Sequence, residues 1–126
     1  MRWAFLVFAI FVVGAILAAD LGLAPLVFSL VRAVPGGDKI GHFVLVGGLA
    51  FLAEFALRGR RIGVLGLRLP LGSLLIAVAA TLEEFSQLLL ARRSFDVLDL
   101  VFDFAGIAIL GTLARRWITN AGSARR

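Results

Sequence analysis

Residues 38–57 read DKIGHFVLVGGLAFLAEFAL, and the fold class turns on them. Asp38, Lys39 and His42 open the stretch, and no further charge appears until Glu54. A hydrocarbon core ~30 Å thick demands about 20 predominantly apolar residues of a helix that crosses it. Lipid offers nothing to hydrogen-bond an open backbone, so such a run has to be helical. Working outward, three more runs have the same character: residues 3–19, 70–91 and 97–117, beside 40–57 here. The 126-residue chain is 61% hydrophobic, with a mean hydropathy of +1.03. A soluble domain this small has too high a surface-to-volume ratio to hide that much apolar surface. The expected fold is all-α: an integral membrane four-helix transmembrane bundle, a single domain over residues 1–126.

The formal net charge of +5 does not point to nucleic acid, because the basic residues sit between the apolar runs rather than in one patch. Arg2, Arg58, Arg60, Arg61, Arg68, Arg115, Arg116, Arg125 and Arg126 fall on one side, whereas Arg32, Lys39, Arg92 and Arg93 fall on the other. The excess of Lys and Arg on the cytoplasmic side of membrane proteins places both termini in the cytoplasm. The first run resembles a signal sequence in its Arg2 and apolar core, but Leu17-Ala18-Ala19 gives no clean cleavage site, so a retained helix is expected. Residues 26–34 fit a short helix lying in the interface, closed by the turn Pro35-Gly36-Gly37. Pro70 suits the start of the third helix, where its missing N–H costs nothing. The absence of cysteine excludes disulfides and thiol chemistry.

The ionisable residues inside the runs are gathered at one end. Asp38, Lys39 and His42 open the second helix; Glu83, Glu84 and Gln87 approach the end of the third, with Arg92 and Arg93 after it; Asp96, Asp99 and Asp103 open the fourth. With alternating helix directions, all lie toward the outer leaflet. At ~1.5 Å rise per residue, Glu83 and Asp103 sit about 10–13 Å inside. Asp38 and His42 are four apart, as are Glu83 and Gln87, and Asp96, Asp99, Asp103 and Gly106 share one stripe. Ser73, Ala77 and Ala80 continue the Glu84/Gln87 side, and small residues there permit close helix approach. These stripes are expected to face inward around a polar pocket. An acid at mid-membrane costs about 2.5–3.5 kcal/mol on insertion scales, so such residues default to function.

Plainer roles compete with that reading. Asp38 and Asp96 suit helix N-caps. Lys39, Arg92 and Arg93 suit interfacial anchors, and His42 suits a structural donor to a carboxylate. Glu83 and Glu84 could pair structurally with Arg92 or Lys39. Glu54 and Arg58, four apart near the opposite end, read as a surface ion pair. In the polar cluster the acids outnumber the bases. Either some acids are protonated through burial together, or a divalent cation such as magnesium sits among them, bridging to a phosphate.

Three motifs resemble those of the VanZ-like family. Asp38-Lys39-Ile40-Gly41-His42-Phe43 resembles its D-K-x-x-H-F signature. Glu83-Glu84-Phe85-Ser86-Gln87 resembles its E-x-x-x-Q element. Arg92 or Arg93, Asp96, Asp99 and Gly106 resemble the run that opens its last helix, although Asp103 stands where that run commonly has Asn. The resemblance implies a multi-pass protein of the bacterial inner membrane, from a family whose name-giving member is linked to glycopeptide resistance such as that to teicoplanin.

Three functions are compatible with these residues. The first is binding or modulation of a cell-envelope lipid or lipid-linked cell-wall precursor. Asp38, Lys39, His42, Gln87, Arg92, Arg93, Asp96 and Asp103 would then contact the headgroup. The second is a metal-assisted intramembrane enzyme acting on a headgroup ester or phosphate. Its catalytic residues would be His42, Glu83, Glu84 and Asp99, and its metal ligands Glu84, Asp99 and Asp103. The third is an ion- or proton-coupled transporter.

Overall fold

A computed structural model describes residues 2–91 and 94–126. Five α-helices follow one another: α1 (Arg2–Asp20), α2 (Pro25–Ala33), α3 (Gly37–Ala56), α4 (Leu71–Ser86) and α5 (Val97–Ser123). A 3-10 turn, Gln87–Leu89, prolongs α4. Between α3 and α4 stands an antiparallel hairpin of β1 (Arg61–Val64) and β2 (Leu67–Pro70). Four helical spans, α1, α3, α4 with its 3-10 turn, and α5, are long and apolar enough to cross a membrane.

What is inside and what is outside confirms the solvent. The largest fully buried side chains are Gln87, Glu54, Glu84 and Asp103, while the apolar part of the core is mainly small: Ala50, Ala53, Ala80 and Ala114 are buried. Large aliphatic and aromatic side chains such as Ile10, Phe11, Leu75, Leu82 and Val101 are exposed. In water this surface would be a vast apolar patch, which soluble monomers do not carry. In a bilayer it is the lipid face, and small residues inside let backbones meet.

Helix α3 is the hub. It packs most extensively on α5 and also touches α4, α1 and α2. The α3–α5 crossing is built on two glycines: a Cβ on Gly106 would collide with the Phe43 carbonyl, and one on Gly47 would lie 2.9 Å from Gly106. Helix α1 is peripheral, with Val12 its one buried residue among those described. It is apolar all round, as a lipid-facing span should be.

Most boundaries follow hydropathy, with three corrections. Pro70 does not open a helix; it closes β2 and sits in the N-cap position of α4, which begins at Leu71. Asp38 is not an N-cap: that position belongs to Gly36, and Asp38 lies in the first turn of α3. Helix α5 runs on to Ser123, past the end of the apolar run, where no proline stops it. The expected short helix over residues 26–34 is α2, whose Pro25 stands in the first turn.

Candidate polar site between three helices

At the end of the bundle where α3 and α5 begin and α4 finishes, the three polar stripes meet. Lys39 is the rim's organiser. Its ammonium Nζ lies 2.6 Å from Asp96 Oδ2 and 3.2 Å from Asp38 Oδ2, and it also bonds Asp99 Oδ1. Lys39 thus pairs with three aspartates rather than with the glutamates of α4. Asp96 acts as the N-cap of α5, accepting from the Leu98 N–H at 2.9 Å. Together with that N–H, the Lys39 ammonium, the stronger influence, holds the Asp96 carboxyl below the usual carboxylate range.

Deeper in, His42 joins two aspartates of α5. Its Nδ1 is 2.9 Å from Asp103 Oδ1, and its Nε2 is 3.4 Å from Asp99 Oδ2. Glu84 Oε1 accepts from the Asp96 backbone N–H at 2.8 Å. That donor belongs to the start of α5, where the helix dipole favours negative charge. Gln87 Nε2 donates to Glu84 Oε2 and to both oxygens of Glu83, each at 3.1 Å. Exposure is graded along this path: the Asp38 and Asp96 side chains are 47% and 40% exposed, His42 21%, and Asp103 2%. The cluster therefore opens at its rim and closes at its floor.

Of the residues expected here, Asp38, Lys39, His42, Glu83, Glu84, Gln87, Asp96, Asp99 and Asp103 form one linked network. Arg92 and Arg93 lie outside the described residues. One carboxylate or imidazole atom from each of His42, Glu84 and Asp99 falls within 4.8 Å of the others, a spacing that could hold a metal ion. Asp103, expected among the metal ligands, is not part of this grouping; it lies on His42 Nδ1 instead.

A second buried polar group lies toward the far end, and sequence reasoning misplaced it. Glu54 is completely buried, so it forms no surface pair with Arg58. Its Oε1 accepts from the Ser73 N–H at 2.8 Å, from Ser73 Oγ at 2.7 Å and from Arg115 Nη1 at 3.3 Å. Arg115 also donates to Ser73 Oγ and Thr112 Oγ1, at 3.0 and 2.8 Å. Helix α4 has no side-chain cap of its own, so Glu54 supplies, from another helix, the acceptor that its first-turn N–H groups need. The available clue was Arg115, four residues after Gly111 on the buried face of α5. The i, i+4 spacing of Glu54 and Arg58 was the more obvious pattern. It fails because the chain turns at Leu57 and Arg58 adopts a left-handed φ of 55°, leaving the helix.

The VanZ/LLP1 family matches this chain over residues 12–118. No curated protein and no solved structure matches it.

Proposed function

The chain belongs to the VanZ/LLP1 family, and from that premise we propose that it binds the polar headgroup of a cell-envelope lipid, or of a lipid-linked cell-wall precursor, at the three-helix polar cluster of a bacterial inner membrane. The observation that carries this reading is the graded network from Asp38 and Asp96 at the rim to Asp103 at the floor. Such a gradient suits a headgroup that enters from the interface while its acyl chains remain in lipid. The three Lys39 donors are taken by Asp38, Asp96 and Asp99, so what the acid-rich rim offers a headgroup is acceptors, for its hydroxyls or amines. The outer placement of the cluster follows from the Lys/Arg distribution. The test is native mass spectrometry of the purified protein with a bacterial envelope lipid extract. A retained lipid is expected, with at least tenfold weaker retention in Asp99→Asn, equivalent to about 1.4 kcal/mol. Absence of any retained lipid, or equal retention by the variant, overturns the reading.

A second reading has its own observation, the His42–Glu84–Asp99 grouping. One imidazole and two carboxylates suit a magnesium-like ion better than zinc in a thiol-free chain. Asp103, bonded to His42 Nδ1, would fix the ring so that Nε2 faces the ion. The protein would then be a headgroup esterase or phosphatase. Calorimetry with magnesium chloride separates the two readings: saturable binding lost in Glu84→Gln favours the enzyme, and no binding leaves the headgroup receptor.

A further inference from the structure

The hairpin between α3 and α4 has no part in either polar group, and its chemistry is divided by face. Its register pairs Ile62 with Leu69 and Val64 with Leu67, while Arg61 pairs with Pro70 and Gly63 with Arg68. Alternation along each strand therefore sets Ile62, Val64, Leu67 and Leu69 on one face, and Arg61 and Arg68 on the other. The aliphatic face is not packed on the protein: Ile62, Val64 and Leu67 are exposed. At the tip, Leu65 and Gly66 both have positive φ, 49° and 81°, the pattern of a tight two-residue turn that ordinarily takes Asn-Gly. Leucine is disfavoured in that conformation, and here the residue is 98% exposed. An apolar residue is thus held at the one place where both backbone and water argue for a polar one.

Basic residues surround this element. Arg58 and Arg60 lead into it, and with Arg2 they line adjoining clefts of about 370 and 320 Å³ beside Trp3, Phe55 and Ala56. Among the described residues, none of Arg58, Arg60, Arg61 and Arg68 has an acidic partner. The hairpin is also tethered at both ends: it follows α3 closely, and the Leu71 N–H donates to the Arg60 carbonyl at 2.8 Å. A four-residue strand reaches only ~13 Å, so the element cannot leave the membrane surface.

We propose that residues 58–70 form a lipid-docking hairpin. It folds onto its own bilayer, seats its aliphatic face and Leu65 among the acyl chains, and holds anionic phospholipid phosphates with Arg2, Arg58 and Arg60. Charge decides the occupant: an uncompensated arginine group beside an apolar face complements an anionic lipid surface.

The chain has no cysteine, so one engineered thiol reports one position. The full-length protein carrying Leu65→Cys, or Gly63→Cys on the opposite face, is spin-labelled and reconstituted in phosphatidylcholine vesicles with and without phosphatidylglycerol. The label at 65 is expected to be accessible to oxygen and shielded from a water-soluble nickel chelate, more so with phosphatidylglycerol, while that at 63 meets nickel freely. Equal nickel access at both positions overturns the proposal. So does dipolar broadening at 65 that disappears on dilution with unlabelled protein, which would make a second copy the occupant. Shielding indifferent to phosphatidylglycerol overturns the anionic assignment. Replacing Arg58 and Arg60 by Gln should weaken phosphatidylglycerol retention about fivefold per arginine, from ~1 kcal/mol per basic residue at an anionic surface.

Discussion

Two buried polar groups lie on the same three helices, and they differ in kind. The group around Glu54 is closed. One carboxylate, one guanidinium and two hydroxyls bond one another beside the first turn of α4 through Glu54 Oε1; Glu54 is inaccessible, and its Oε2 is buried with no hydrogen-bond partner among the described residues. The group around Lys39 and His42 is open. Among the described residues it collects Asp38, Asp96, Asp99, Asp103 and Glu84 around Lys39 and His42, and its rim reaches solvent. A closed, charge-matched network stitches helices together. An open network whose described acids outnumber its described bases is expensive unless a further positive group or a ligand completes it. The comparison teaches that a charge within a membrane span is not by itself a sign of a site; its balance and exposure decide.

The comparison can be broken most forcefully at Arg115. Arg115→Leu leaves Glu54 buried without its cation, and unpairing a buried ion costs about 3–5 kcal/mol. A large drop in melting temperature in detergent is expected, with much of it recovered by the double change Glu54→Leu/Arg115→Leu. If the open group is instead a site, Asp99→Asn should leave the melting temperature far less affected than Arg115→Leu does. Equal losses from both would erase the distinction.

A smaller effect is expected where α3 and α5 cross, at a position between the two groups along both helices. Gly106→Ala pushes a Cβ into the Phe43 carbonyl of α3, and overpacking of this kind costs about 1–3 kcal/mol. Because Phe43 adjoins His42, lipid retention should fall along with stability. Retention unchanged at full destabilisation would separate the crossing from the site.

The smallest effect concerns the rim, and pH resolves it. The Asp96 carboxyl is held low by Lys39, so its stabilising contribution is present above the unfolded value of about 3.9 and is lost as pH falls through the depressed folded value. Asp96→Asn should therefore lower the melting temperature slightly at neutral pH, and the gap from the parent should close in strong acid. A gap constant with pH would show that the charge of Asp96 does not contribute to stability.

The same residues show how much was legible beforehand. Asp99 and Asp103 are four apart, and Glu84 and Gln87 three apart, so helical period alone put each pair on one face. Alternating span direction then brought both pairs to the same end as His42. Glu54 was legible as a charge near a helix end but not as a clasp, because its partners Ser73 and Arg115 are 19 and 61 residues away. Local spacing offered Arg58 instead. The hairpin was hidden too: its strands are only four residues long, too short for their alternation to stand out, and Leu65-Gly66 is not a usual hairpin turn.

By itself, then, the amino-acid order determined that this is a membrane protein of four crossing helices with its polar stripes toward one end, since hydropathy, helical period and bilayer thickness are properties of short segments. Only the tertiary structure decided which of those polar residues close on one another and which open to the interface. That choice depends on contacts between distant helices, on Gly47 meeting Gly106 and Glu54 meeting the first turn of α4, and no local pattern encodes them.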